Sequence, residues 1–173
     1  DVDPSPGDNG PYRSTPQRAP AWTGLTVLID PGHGGVDTGV EQNGVVEKEL
    51  TLWLAREIVA TAQSAHGRAF LTRVGDESVT REERWQAVSE RQATAFISLH
   101  FNSSASPSKA GYCVVVNASQ GPTGGRRTAA STGAASESGR LADVLTSALD
   151  AAGFAGERRT LPLATVPEVA IAA

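Results

Sequence analysis

Three side chains stand where hydrolytic or metal chemistry could use them: His33, Glu47 and His100. His33 follows an apolar run, Leu25 to Ile29, that breaks into Asp-Pro-Gly-His-Gly-Gly. His100 follows a second run, Ala95-Phe-Ile-Ser-Leu. Two imidazoles and a carboxylate suit zinc and leave a coordination position open, so that water can be acidified and a carbonyl polarised. Hydrolysis is the natural chemistry of such a set. Glu47 is the preferred third donor because it comes fourteen residues after His33, at the start of an amphipathic segment. Glu49 is second choice. Two positions along a helix rotate a side chain by about 200°, so both carboxylates cannot face one ion. Either glutamate could also do no more than stabilise a helix N-terminus. His66, beside Gly67 in a polar connection, reads as an exposed histidine with no role.

The elements that must position these residues can be read from hydrophobic periodicity. Leu25 to Ile29 has almost no polar content, as in a strand buried on both faces, and Pro31 with the following glycines ends it. From Glu47 onward, Leu50, Trp53, Leu54, Ile58 and Val59 recur at helical spacing. Ala69 to Thr72 reads as a second strand. Thr80, with Glu83 three residues on, opens a second helix whose inner side holds Trp85 and Val88 and whose charges read mostly as a solvated face. Ala95 to Leu99 is a third strand, and Gly111 to Val116 a fourth. Residues 117–135, rich in Gly, Ser, Thr and Ala, read as a long flexible loop or lid. A helix over Ser136 to Phe154 follows, stopped near Gly153, and Pro167-Glu-Val-Ala-Ile begins a last strand. Strands alternating with helices imply a parallel sheet, which would carry His33 and His100 to the same carboxyl edge, where ligands collect.

Composition bounds the alternatives. The 173 residues, 39% hydrophobic and 20% charged, describe one globular domain. A net charge of −4 argues against nonspecific nucleic-acid binding, and the basic pairs Arg126-Arg127 and Arg158-Arg159 read as loop charges. The single cysteine, Cys113, excludes an intramolecular disulfide and a Cys-rich zinc site. No apolar run is long enough to span a bilayer. Residues 1–22 hold five prolines among polar residues and read as a disordered linker, leaving 23–173 as the folded domain.

Taken jointly, Asp30-Pro-Gly-His-Gly-Gly with Asp37 and Gly39, Glu47-Lys48 opening a helix, Leu71-Thr-Arg73, and Ile97-Ser-Leu-His-Phe-Asn102 resemble the amidase 3 family of zinc-dependent N-acetylmuramoyl-L-alanine amidases. The resemblance runs from Leu25 to about Ala173. It implies an α/β fold with a mixed, mainly parallel sheet flanked by helices, with His33, Glu47 and His100 as zinc ligands. It also implies peptidoglycan as substrate, cut at the amide between the lactyl group of N-acetylmuramic acid and L-alanine, and export to the periplasm or cell wall. In the family a second glutamate, the general acid/base, follows in a late strand resembling Pro-x-Val-x-Val-Glu. Aligning Pro167 with that proline puts Ala172 at the glutamate's place. Glu168 would lie about 13 Å back along the strand. On this comparison the domain lacks the family's carboxyl-terminal part, and a catalytically impaired relative that binds zinc and peptidoglycan is the alternative reading.

Overall fold

A computed structural model of the chain describes residues 24–101, 111–117, 129–161 and 171–172. In chain order the elements are β1 (Thr26–Pro31), β2 (Glu41–Gln42), β3 (Val45–Val46), α1 (Glu47–Ser64), β4 (Arg68–Leu71), α2 (Arg81–Glu90), β5 (Ala95–His100), β6 (Tyr112–Asn117), α3 (Ala129–Ala151), β7 (Gly156–Leu161) and β8 (Ile171–Ala172). Six strands form one sheet in the order β4-β1-β5-β8-β6-β7. All pairings are parallel except β6 with β8, so the sheet is mixed and mainly parallel, as expected. β1 is paired on both sides, and its TVLIDP sequence is buried almost throughout, the signature of a strand covered on both faces.

Two apolar clusters hold the sheet. In the first, Ile29, Ala55 and Leu99 are buried, with Val27, Leu54, Ile58, Val59, Leu71 and Ile97 packed around them. α1 thus covers β1 and β5 with the side that carries Glu47, Thr51, Ala55 and Ala62. Trp53 departs from the expected inner face and is 59% exposed, because it points about 200° away from Ala55. In the second cluster, Tyr112, Val114 and Val116 alternate along β6 against Ala142, Leu145 and Leu149 of α3, and the Tyr112 hydroxyl donates to Asp150 Oδ1 at 2.6 Å.

Other departures are local. β2 and β3 form a hairpin across Asn43-Gly44, whose φ values of 54° and 79° fit a type I′ turn. α3 begins at Ala129, so the end of the expected 117–135 loop is helical; residues 118–128 lie outside the described ones. Arg158 and Arg159 sit on the edge strand β7 and not in a loop, and Arg158 pairs with Asp143 of α3. Charge on an edge is a common protection against strand addition. The linker expected over 1–22, Arg126-Arg127, Pro167 and Glu168 also lie outside the described residues.

The start of α2 matters to the site, because this helix carries Arg84 inward. Thr80 Oγ1 accepts from the Glu83 backbone at 3.2 Å, and Glu83 Oε2 accepts from the Thr80 backbone at 2.7 Å. The Thr80 backbone N–H and, second, the Thr80 hydroxyl, which donates to Glu83 Oε2 at 2.8 Å, hold the Glu83 carboxyl below its ordinary pKa. Thr80→Ala should cost about 1 kcal/mol in urea unfolding at neutral pH. Because the depressed pKa belongs to the folded state, Glu83's contribution is full above the ordinary glutamate range and fades as pH falls through it. The difference between Thr80→Ala and the parent should therefore shrink on acidification; a difference independent of pH would show that the Thr80 hydroxyl does not support the Glu83 carboxylate.

Candidate metal centre

β1 and β5 run side by side with Pro31 paired to Leu99, so the residues that follow them emerge together. The Gly32 backbone donates to Leu99 O at 2.9 Å. A Cβ at Gly32 would lie 2.3 Å from His100 Cε1, so only glycine allows this approach. His33 takes the left-handed conformation, φ 62°, and its Nδ1 lies 2.9 Å from Asp37 Oδ2. That hydrogen bond is the chief reason the Asp37 carboxyl sits below its usual pKa. With Nδ1 engaged as donor, Nε2 keeps its lone pair for the centre of the site.

Glu47 is the first residue of α1 and is 4% exposed. Its Oε2 accepts from the Val40 backbone at 2.9 Å and its Oε1 from the Phe101 backbone at 2.8 Å. Burial pushes this carboxyl up, but the two backbone donors and the neighbouring imidazoles outweigh it and hold the pKa below the ordinary value. Glu47 is therefore an anion with unused acceptor capacity. Glu49, two residues on, is exposed and takes no part. His66 is also exposed, and its φ of 61° ends α1.

The three donors converge. His33 Nε2 is 3.1 Å from Glu47 Oε1, and His100 Nδ1 is 3.1 Å from each of them. A tetrahedral ion with ligands at ~2.0–2.1 Å separates its donors by about 3.3 Å, so this triangle needs only small adjustment to hold a metal. The two imidazole rings meet at 82° with centroids 4.8 Å apart, so both can aim a nitrogen at one point. Among the described residues this is the group of histidine and carboxylate side chains able to hold an ion. A shallow cleft lined by Val40, Gln42, Asn43, Val45, Leu50 and Phe101 opens beside Glu47. Asn102 lies outside the described residues.

Beneath the triangle lies a polar layer that sequence reasoning largely missed. Asp30, fully buried in β1, accepts from Thr72 Oγ1, from Ser98 Oγ at 2.7 Å and from Arg84 Nη1. Arg84 also donates to Pro31 O at 3.3 Å and His33 O at 3.2 Å. Arg73 donates to Pro31 O and Gly32 O, both at 3.0 Å, and to Lys48 O at 2.7 Å. Lys48 Nζ in turn reaches Gly35 O at 2.8 Å and Asp76 Oδ2 at 2.7 Å. The expectation that the charges of α2 form a solvated face fails at Arg84, which is 6% exposed. A signal was present: Arg84 lies four residues before Val88, on the face read as inner. Trp85, also expected inside, is 44% exposed and stacks on Phe96.

The sequence profile of one family, amidase 3, described as N-acetylmuramoyl-L-alanine amidase, matches residues 27–163. The chain belongs to the amidase 3 family. The match takes in all three converging side chains. Among curated relatives, AmiA of Salmonella typhimurium, an N-acetylmuramoyl-L-alanine amidase, is 32% identical over 62% of this chain and 38% of its own length. The probable N-acetylmuramoyl-L-alanine amidase AmiB of Haemophilus influenzae is 40% identical over 53% of this chain and 22% of its own. The chain thus spans well under half the length of these relatives. The solved amidase AmiC2 of Nostoc punctiforme superposes with a TM-score of 0.64 at 25% identity, covering 85% of this chain and 77% of that one.

The polar layer of this amidase 3 domain makes a direct prediction. Arg84→Met leaves the buried Asp30 carboxylate without its cationic partner and should cost about 3–5 kcal/mol in urea unfolding, or prevent folding if the parent is less stable than that. Glu82→Gln, on the exposed side of the same helix, should stay within about 0.5 kcal/mol. Equal effects would mean that the pair carries no special weight.

Proposed function

We propose that this domain is a zinc-dependent amidase that cuts the bond between the lactyl group of N-acetylmuramic acid and L-alanine in peptidoglycan. The observation that carries the proposal is the triangle of His33 Nε2, Glu47 Oε1 and His100 Nδ1 with edges of 3.1 Å, in a chain of the amidase 3 family. These three would hold the metal. Two neutral nitrogens and one carboxylate oxygen leave a position open and suit zinc better than hard, oxygen-seeking cations. Zinc in such a set supplies Lewis acidity, polarising a carbonyl and acidifying water.

The chain's own groups hold this set in working form. Asp37 orients His33 through Nδ1, and the Val40 and Phe101 backbone N–H groups keep Glu47 ionised. Val40, Val45, Leu50 and Phe101 give the adjacent cleft apolar walls beside Glu47. Peptidoglycan as the partner and export to the periplasm or cell wall belong to the same proposal. No helix among the described residues is long and apolar enough to cross a membrane.

A second reading, a domain that binds zinc and peptidoglycan but turns over slowly, is favoured by one observation. In the register of β5 with β8, Ala172 pairs with His100. The family resemblance expects the general acid/base glutamate at this position, and alanine can neither accept nor return a proton. Positioned acid–base help contributes ~10²–10⁴-fold.

Two measurements separate these readings. Elemental analysis after desalting should give one zinc per chain in the parent and none in a His33→Ala, His100→Ala double variant; stoichiometric zinc retained in that variant refutes the ligand set. On the second reading, release of new L-alanine amino termini from purified sacculi should rise by ~10²–10⁴-fold in Ala172→Glu over the parent. A parent that already matches a full-rate amidase of the family removes the second reading.

A further inference from the structure

His33 and Glu47 belong to separate stretches of backbone: His33 to the loop after β1, Glu47 to the first turn of α1. Between them the chain makes an excursion through the β2–β3 hairpin. The gap between the two donors is closed from below by Arg73, a residue outside the ligand set. Its guanidinium donates to Pro31 O and Gly32 O on the His33 side. On the Glu47 side it donates to Lys48 O and, at 3.3 Å, to Thr51 Oγ1. Gly32 immediately precedes His33 and Lys48 immediately follows Glu47, so one planar fork grips a residue adjoining each donor. Thr51 adds a parallel tie, donating to Gly32 O at 2.9 Å.

Energetics argue that this fork serves position. Arg73 is 3% exposed, and its hydrogen bonds go to carbonyl and hydroxyl oxygens with no carboxylate among them. Burying a cation without a directly bonded anion is costly, and what offsets that cost is the satisfaction of buried backbone oxygens on both sides of the gap. A positive charge beneath a cation site also works against metal binding by Coulomb repulsion. Charge does not explain the residue, whereas a rigid planar fork, which lysine cannot imitate, explains how one side chain reaches both sides of the gap at once.

We propose that Arg73 is a positioning residue of the metal centre, setting the separation of His33 and Glu47 and thereby the affinity for the ion. The inference rests on the zinc reading of the His33, Glu47 and His100 triangle. Substitutions in the outer shell of metal sites typically cost ~10–100-fold in affinity.

The test is zinc affinity of the full chain, measured by competition with a chromophoric chelator, alongside thermal unfolding of the metal-free protein. Arg73→Lys keeps the charge and loses the fork, and is expected to bind zinc ~10–100-fold more weakly. Arg73→Met should weaken binding as well, although charge alone predicts that it tightens. Thr51→Val should weaken binding by a smaller factor, and Thr51→Ser should restore it. Val114→Ala, in the other apolar cluster, should lower the unfolding temperature and leave affinity unchanged. Parent affinity in folded Arg73→Lys overturns the proposal, as does tighter binding in Arg73→Met or an equal loss in Val114→Ala. If Arg73→Lys does not fold, parent affinity in Thr51→Val overturns it. A parent that binds no zinc refutes the site reading itself, an outcome distinct from a parent that binds while Arg73 proves indifferent.

Discussion

Everything around the site depends on one buried charge, the Asp30 carboxylate at the end of β1. A carboxylate removed from water must be paired and hydrogen-bonded or it destabilises the fold by several kcal/mol. Its partners come from three other places: Thr72 directly after β4, Ser98 on β5 and Arg84 on α2. Satisfying this one group therefore fixes β1 against both neighbouring strands and against a helix. Apolar packing alone would leave such elements free to slide by fractions of an ångström. The directional bonds of Asp30 remove that freedom where the glycine loop leaves the sheet.

Arg84 extends the same constraint into the loop. A glycine-rich turn leaves carbonyl oxygens without ladder partners, and buried oxygens of this kind need donors. Arg84 supplies Pro31 and His33, Arg73 supplies Pro31, Gly32 and Lys48, and Lys48 supplies Gly35. Cationic donors thus collect on the carbonyl side of the loop. The imidazoles and the Glu47 carboxylate take no part in these carbonyl bonds and meet one another instead, and anionic and neutral donors of this kind suit a cation.

Much of this was legible in the sequence because it followed from periodicity and strand ends. His33 and His100 each close an apolar run, and parallel pairing of β1 with β5 brings them to one edge. Glu47 is preferred for its place at the start of the helix after His33, and helix phase adds only that Glu49 could not face the same ion. The resemblance to a known family contributed the mixed sheet and the expectation of zinc. What was not legible depends on long-range contacts. The spacing of Arg84 from Val88 marked its face as inner, but nothing local supplied the anion, Asp30 on β1, that makes burial of the guanidinium tolerable. The β2–β3 hairpin was present as Asn43-Gly44, but its two-residue strands are too short to show alternation. β7 was hidden because an edge strand tolerates Arg158-Arg159, which a central strand would not.

The division of the sheet sets how far the fold can speak for the activity. β4, β1, β5 and α1 share one apolar cluster, and the donors converge there from the loop after β1, from the end of β5 and from the start of α1, while β6 shares another cluster with α3 and pairs with β7. β8 lies between the two halves, parallel to β5 and antiparallel to β6. The donor triangle thus belongs wholly to the first half and depends on Asp30, Arg73 and Arg84 there. Position 172 belongs to the junction, opposite His100 on one side and Cys113 on the other. A proton-transfer group at 172 would have to be held by both halves at once, whereas the donors need only one. Metal binding and turnover are therefore separable in this architecture, and a family fold with intact donors can keep the first while differing in the second.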